Sequence, residues 1–234
     1  PASGPWTTPY FDAANLDEVT TAIISDGVNL YFGGRNNTQY GLYRIAIGTK
    51  ALVGGRLSTT SQRVGTAPAY ADGATTRYLY CGTTAVGGTS HLYRIHLNNW
   101  VIDADFRNTS YAADAGDMTS DVVAYANVPV GDLYVGELNG RMHALPAAGT
   151  VAAFSVPLPG FPFRDGSSAA IRGGAYKEFY PVTRLIYGDA AGNLYTLNGT
   201  LPAAPVLNTD YFRLSTGASA IQSMPLSQGG IIYD

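Results

Sequence analysis

Leu30-Tyr31-Phe32-Gly33, followed after a short loop by Leu42-Tyr43-Arg44-Ile45, decides the fold, because versions of this pair recur along the chain. The other first members are Leu79-Tyr80-Cys81-Gly82, Leu133-Tyr134-Val135-Gly136 and Leu185-Ile186-Tyr187-Gly188, and the other second members are Leu92-Tyr93-Arg94-Ile95, Met142-His143-Ala144-Leu145 and Leu194-Tyr195-Thr196-Leu197. The glycines that end the first members are 49, 54 and 52 residues apart. This period is typical of β-propeller blades and is too long for helical solenoids.

The predicted fold is therefore all-β, a β-propeller that forms one domain over residues 1–234 with four full repeats of about 50 residues and a partial fifth. The repeats span about 19–60, 61–114, 115–166 and 167–217, and the partial one spans 218–234. Each is predicted to start with an apolar strand, at 19–24, 64–71, 121–126, 168–175 and 218–226. Both faces of the strands carry apolar residues, as expected when every sheet is covered by a neighbour on each side.

The fifth repeat begins but does not finish, because Ile231-Ile232-Tyr233-Asp234 aligns with the first member of the pair and nothing follows it. Two explanations fit this pattern. Residues 1–14 could supply the missing outer strands and close a five-bladed ring, or the chain is a section of a larger propeller. An unpaired strand edge is something that natural sheets avoid, so we expect a section of a longer protein.

Composition excludes several classes of function. The chain is 46% hydrophobic and 13% charged, so it can bury a large core, and its net charge of −3 provides no field that would collect nucleic acid phosphates. No apolar stretch approaches the ~20 residues that cross a bilayer. Cys81 is the only cysteine, so we expect it to be buried as a small hydrophobic residue. The chain begins at Pro1, with few lysines, so we expect a processed or excised piece of a secreted bacterial protein.

The loops between the paired strands are the predicted binding surface, because in a propeller they lie on the same face as the links between blades. Asn139-Gly140 predicts a type I′ hairpin turn, since both central residues tolerate positive φ. The candidate binding residues on this face are Arg35, Asn37, Glu137, Asn139, Arg141, Asp189 and Asn193. They predict a contact patch for a protein or glycan; ordinary turn chemistry is the simpler interpretation of the last five.

Metal binding has only a weak candidate. Asp114, Asp117 and Asp121 could gather carboxylate oxygens around calcium, but they lack the alternating ligands and central glycine of a calcium loop. A solvated loop with a strand-entry cap is the alternative. His143 takes the place of a tyrosine in the other repeats, which predicts a packing role. No cofactor is predicted.

Two hairpins resemble a known family. The PilC/PilY pilus-tip adhesin propeller has a strand-turn-strand signature, Gly-Ala-Asn-Asp-Gly-Met-Leu-His-Ala-Phe, which is similar to Gly136-Glu137-Leu138-Asn139-Gly140-Arg141-Met142-His143-Ala144-Leu145. Its Gly-Asp-x-x-Gly-Asn-Leu-Trp resembles Gly188-Asp189-Ala190-Ala191-Gly192-Asn193-Leu194-Tyr195, and Ala220-Ile221-Gln222-Ser223-Met224-Pro225 is similar to the strand that follows. The resemblance covers about the C-terminal half, and the first half shares the general character of quinoprotein-like propellers.

The resemblance implies an extracellular, pilus-associated or surface-associated adhesion module. It does not carry the family's calcium loop, because residues 172–183 contain only one acid, Glu178. The known motifs for hydrolases, zinc proteases and phosphate binding are missing from the sequence, so we predict no enzyme activity. The main hypothesis is a non-catalytic extracellular module for adhesion or assembly that binds a protein, a glycan or other domains of its parent protein. The alternatives are part of a quinoprotein or polysaccharide-acting enzyme, and a purely structural scaffold.

Overall fold

The computed structural model describes residues 16–59, 62–72, 77–86, 89–107, 116–125, 131–147, 150–164, 168–178, 184–198 and 206–207. These residues form strands β1 (Glu18–Val19), β2 (Ile24–Ser25), β3 (Asn29–Asn36), β4 (Gln39–Ala46), β5 (Leu57–Ser58), β6 (Ala69–Asp72), β7 (Arg77–Gly82), β8 (His91–His96), β9 (Val101–Arg107), β10 (Val123–Tyr125), β11 (Asp132–Gly136), β12 (Met142–Pro146), β13 (Ile171–Glu178), β14 (Arg184–Asp189), β15 (Leu194–Asn198) and β16 (Val206–Leu207), with one short helix α1 (Val151–Phe154) between β12 and β13. The described part of the chain has no helix with the length and hydropathy of a membrane span.

The strands form four antiparallel sheets that follow one another along the chain. Sheet 1 has the order β1-β3-β4-β5 with β2 also paired to β3, sheet 2 is β6-β7-β8-β9, sheet 3 is β10-β11-β12, and sheet 4 is β13-β14-β15-β16. They follow the four predicted full repeats in order. In sheet 3 the fourth strand is replaced by α1 and a segment that returns to pair Phe163 with Met142. The partial fifth repeat, 218–234, lies outside the described residues.

The first strand of each of the first three sheets is interrupted, where the sequence predicted a continuous strand. β1 and β2 both pair with β3 across a gap, and single bridges at Val64 and Met118 precede β6 and β10. At the gap the second strand loses a backbone partner, and a side-chain hydroxyl replaces it. The N–H groups of Gly33, Gly82 and Gly136 donate to Thr21 Oγ1 (2.8 Å), Thr66 Oγ1 (2.8 Å) and Ser120 Oγ (2.6 Å), respectively.

The same glycines bring successive sheets together. A Cβ built on Gly33 would lie 2.6 Å from Val64 Cβ, and one on Gly136 would lie 2.5 Å from Ile171 Cβ. A Cβ built on Gly82 would lie 2.9 Å from Met118 Cβ. Each partner belongs to the first strand of the next sheet, so a side chain at any of these glycines would overlap its neighbour. The recurring glycine therefore marks a close approach between sheets, and the predicted face-to-face stacking is confirmed.

Three apolar clusters fill the spaces between consecutive sheets. Tyr31 and Leu42 of sheet 1 pack with Leu79 and Tyr93 of sheet 2. The second cluster joins sheets 2 and 3, and the third joins sheets 3 and 4. Among the described residues no cluster joins sheet 4 to sheet 1. The number of blades in the intact ring stays a prediction.

The arginine of the Leu-Tyr-Arg-Ile segments links neighbouring sheets. In sheet 1, Arg44 donates to the carbonyl of Leu97 (2.9 Å), and its guanidinium lies 4.7 Å from the ring centroid of Trp100. In sheet 2, Arg94 makes a two-pronged pair with Asp103 (3.0 and 3.1 Å) and lies 5.2 Å from the ring centroid of Phe154 in α1. Each guanidinium thus has an aromatic and a polar partner, which favours the partial burial of Arg44 and the almost complete burial of Arg94.

Candidate functional site

The hairpins between the second and third strands all lie at one end of the sheets, together with the links that lead into the next sheet. We call this end the loop face; it comprises residues 36–39, 83–86, 89–91, 137–141 and 189–193. The strand registers place it there, because Asn36 pairs with Gln39, Gly136 with Met142 and Gly188 with Leu194, all next to these hairpins. The predicted common face for these loops is present in the structure.

The hairpin of sheet 1 extends further than the others. The sequence predicted a long loop over 34–41, but β3 continues to Asn36 and β4 begins at Gln39, which leaves a two-residue turn. Asn37 occupies this turn with φ of 52°, a conformation that asparagine tolerates better than most residues. Its side chain is exposed. The paired strands therefore carry Asn37 to the outer part of the loop face, with Arg35 at its edge.

Glu18 holds the base of this hairpin. Its carboxylate accepts from Arg35 Nε and from Arg63 Nη2, each at 3.1 Å, and Arg63 belongs to the link between sheets 1 and 2. Arg35 also donates to the carbonyl of Asn37 (2.8 Å). All three charged side chains are about a third exposed or more, so these pairs contribute little to stability. They orient charged groups at the surface.

Glu137 lies in the interior, although we expected it in an exposed patch. Its Oε1 lies 2.8 Å from His143 Nε2, and neither side chain has exposed surface. The rings of Phe106 in sheet 2 and His143 pack against each other at an interplanar angle of 60°, with 5.6 Å between their centroids. Arg141 is also buried. His143 therefore packs between sheets 2 and 3, as predicted. Glu137, the residue after the recurring Gly136, joins it there because its side chain points towards the preceding sheet.

Asp189 occupies the position of Glu137 in sheet 4 and is buried in the same way. Its carboxylate accepts from the backbone N–H groups of Ala191 and Asn193, from Asn193 Nδ2 and from Tyr195 Oη, all at 2.8–2.9 Å. This is the turn chemistry that the sequence offered as the simpler interpretation. The binding role of the seven candidate residues stays a prediction, and three of them, Glu137, Arg141 and Asp189, have almost no accessible surface.

The turn at Asn139-Gly140 differs from the predicted type I′ turn. Gly140 has φ of 82°, but Asn139 is not among the residues with positive φ. The N–H of Gly140 donates to the carbonyl of Glu137 (3.2 Å). The N–H of Glu137 donates to the carbonyl of Arg141 (2.8 Å). The loop is thus a three-residue hairpin with a left-handed glycine. The loop at 189–193 has the same hydrogen bonds and Gly192 at φ of 83°.

The aspartates proposed for calcium hold backbone groups. Asp117 Oδ1 accepts from the N–H of Ala85 (2.6 Å), and Asp121 Oδ1 accepts from the N–H of Ala67 (3.2 Å). Each bond ties the first strand of sheet 3 to sheet 2. Asp114 lies outside the described residues, and within them no three acids, histidines or cysteines converge on a possible metal. Calcium binding stays a prediction.

Two exposed apolar side chains on the loop face were missed from the sequence. Leu138 is 46% exposed at the tip of the sheet 3 hairpin, and Val86 is 59% exposed in the adjacent loop of sheet 2. Asp117 ties both loops, since its carbonyl accepts from the N–H of Leu138 (2.9 Å) while its carboxylate holds Ala85. We call Val86 and Leu138 the apolar pair. A leucine inside a tight turn was the available signal, because turns favour polar residues and glycine.

Comparison with known proteins supports the fold. No family model and no curated protein matches the chain. The Dos1 propeller superposes with a TM-score of 0.58 at 12% identity, over 83% of this chain and 44% of that one. BBS1N, in complex with ARL6DN, superposes with a TM-score of 0.52 at 17% identity, over 86% of this chain and 58% of that one. The fold is a β-propeller. The chain spans about half the length of these solved propellers.

Proposed function

We propose that this propeller is a non-catalytic binding module that docks a protein partner on its loop face. The observation that carries the proposal is the apolar pair. Val86 and Leu138 are exposed on adjacent loops, and both loops are fixed by Asp117. Apolar side chains held rigidly at a surface lose little conformational entropy on binding, which is a property of interface anchors. Of the candidate binding residues, Arg35 and Asn37 would add polar groups to this surface, because their side chains are partly or fully exposed.

The nature of the partner is inferred from two sources. A propeller with the same fold, BBS1N, has been solved in complex with the protein ARL6DN, which favours a protein over a small molecule for this fold. The hairpins at 136–145 and 188–195 resemble those of pilus-tip adhesins, which favours an extracellular, pilus-associated or surface-associated protein of bacteria. A glycan ligand, a scaffold role towards neighbouring domains, and a place within a quinoprotein or polysaccharide-acting enzyme are the alternatives. No nucleic acid partner, membrane insertion or cofactor is proposed, and calcium binding at Asp114, Asp117 and Asp121 stays a prediction from the sequence.

The test compares two faces of the same molecule. We would replace the apolar pair with Val86→Asp and Leu138→Asp, and use Val156→Asp as the matched control. Val156 is 62% exposed but lies beyond α1, at the opposite end of sheet 3. Partners are captured from bacterial surface extracts, identified by mass spectrometry, and then titrated in purified form; glycan arrays are screened in parallel.

We expect the double variant to raise the Kd of the purified protein partner by at least about tenfold, since anchors dominate binding energy. The control variant should bind as the wild type does. Equal binding by all three proteins would contradict the loop face as the docking site. Binding only to glycans would favour the glycan alternative.

A further inference from the structure

A line of contacts joins the base of the sheet 1 hairpin to the apolar pair. The carbonyl of Arg63, in the link between sheets 1 and 2, accepts from the N–H of Thr84 (2.9 Å). Thr84 lies two residues before Val86, and Asp117 ties the loop of Val86 to that of Leu138. Arg63 therefore lies at the edge of the loop face, next to the loop that carries one half of the apolar pair.

Two arginines at this edge share one carboxylate. Arg35 Nε donates to Glu18 Oε2 and Arg63 Nη2 donates to Glu18 Oε1, each at 3.1 Å. Arg35 spends a second nitrogen, Nη1, on the carbonyl of Asn37. Within the described part of the chain, Glu18 is the only partner of the Arg63 guanidinium, and the Arg63 side chain is 47% exposed. Most of the Arg63 N–H groups are therefore available to a ligand.

The hydrogen-bonding capacity left over at this edge is that of a donor. Both oxygens of Glu18 already accept from an arginine. The carboxylates of Asp17 and Asp117 accept from the backbone N–H groups of Asn37 and Ala85, so they too are engaged within the protein. An arginine guanidinium presents its N–H groups in a planar fork that matches the two oxygens of a carboxylate. The group that complements this edge is therefore a carboxylate.

We propose that the protein partner of the loop face presents an acidic side chain beside its apolar contact, and that Arg63, with Arg35, binds that carboxylate. This inference rests on the function proposed above and adds the chemistry of the partner, which is an acidic and apolar peptide segment. Arginine pairs with carboxylates through two parallel hydrogen bonds, and charges at the rim of an interface select the partner. Glu18 holds the two arginines in the free protein and competes with the partner for them.

Short peptides of known sequence test this chemistry. A random peptide library displayed on phage is selected on the full chain, and the enriched peptides are synthesised and titrated by fluorescence polarisation. Each peptide is paired with an analogue in which Asn and Gln replace Asp and Glu. Arg63→Glu is the test variant of the protein. Lys50→Glu is its matched control, because it changes the net charge equally and lies exposed just beyond Ala46, at the opposite end of β4 from the loop face.

We expect the enriched peptides to carry Asp or Glu close to a large apolar residue. Arg63→Glu should raise their Kd at least about fivefold, and Lys50→Glu should leave it unchanged. Glu18→Gln should lower the Kd about two- to fivefold, because it removes the competing charge of an exposed ion pair. If Arg63→Glu lowers the urea midpoint of the protein, Arg63→Gln replaces it, with a smaller increase in Kd expected.

The inference is overturned if the enriched peptides have no excess of acidic residues, or if the amide analogues bind as tightly as the acidic peptides. Equal effects of Arg63→Glu and Lys50→Glu would also overturn it, because net charge alone would then explain them. A higher Kd for Glu18→Gln would contradict the competition. In each of these cases, loss of peptide binding with Val86→Asp and Leu138→Asp would still support docking on the loop face. A library that yields no enriched peptide would contradict the docking function itself, and this inference with it.

Discussion

Asp26 joins two sheets through a single enclosed carboxylate. It accepts from the N–H groups of Val28 (2.9 Å) and Asn29 (2.6 Å) in its own turn, and from Tyr31 Oη (2.9 Å). Arg77, the first residue of β7 in sheet 2, donates to the same carboxylate at 3.1 Å. Burial disfavours the charged form, but these hydrogen bonds and the charge of Arg77 outweigh it, so the pKa of Asp26 is below its ordinary value of 3.8. The pKa of Tyr31 is shifted upwards, to about 12, chiefly by burial and also by its hydrogen bond to Asp26 and the charge of that carboxylate.

The pH dependence of stability follows from this shift. A carboxyl group whose pKa is lower in the folded state stabilises the fold fully above its unfolded pKa, and this contribution is lost as the pH falls through the folded pKa. The wild-type protein should therefore have a higher free energy of unfolding by urea than Asp26→Asn, and the difference should be constant above about pH 5. The difference should shrink below the ordinary value of 3.8. A difference that does not change with pH would contradict the role of the charged carboxylate.

At the scale of the element, the interrupted first strand is the feature that organises each sheet. The hydroxyl of Ser120 accepts from the buried N–H of Gly136 at 2.6 Å, at the gap before β10. Ser120→Ala would leave that N–H without a partner, which costs about 1–3 kcal/mol of unfolding free energy. Ser120→Thr should restore most of the loss, because Thr66 makes the same bond in sheet 2. Urea unfolding of both variants checks this.

The matched control for this pair is Thr38→Ala, which removes an exposed hydroxyl in the turn of sheet 1 and should change stability by no more than about 0.5 kcal/mol. If Ser120→Thr is as destabilised as Ser120→Ala, then packing and not the hydrogen bond explains the effect. If Ser120→Ala is as stable as the wild type, the hydroxyl has no role at the gap.

The hairpins were predictable from the sequence because alternation and a fixed glycine are local signals. The gaps in the first strands were not, since a hydroxyl that replaces a backbone partner looks like any surface threonine until the strands are paired. Glu137 was misplaced for a related reason. A glutamate beside a turn suggests a loop, but the strand register turns it towards His143 and the preceding sheet. The apolar pair escaped prediction because exposure depends on which loops become neighbours.

At the scale of the whole molecule, the described residues of the four sheets pack in chain order, with an apolar cluster between each sheet and the next. The close approach of Gly33 to Val64 belongs to the first interface, and that of Gly136 to Ile171 belongs to the third. Sheet 2 and part of sheet 3 separate the two sites. In such a stack, stability is close to a sum of separate interface terms.

Alanine at either glycine should destabilise the protein by about 1–3 kcal/mol, because the new methyl group overlaps a packed side chain of the next sheet. Gly48→Ala is the control, since a Cβ there meets nothing within 4 Å. The double variant Gly33→Ala with Gly136→Ala should lose the sum of the two single effects to within about 0.5 kcal/mol. Urea unfolding measures all four variants. A coupling of more than about 1 kcal/mol between sites with no shared partner would mean that strain passes through the intervening sheets, as a rigid closed ring permits and an open stack does not.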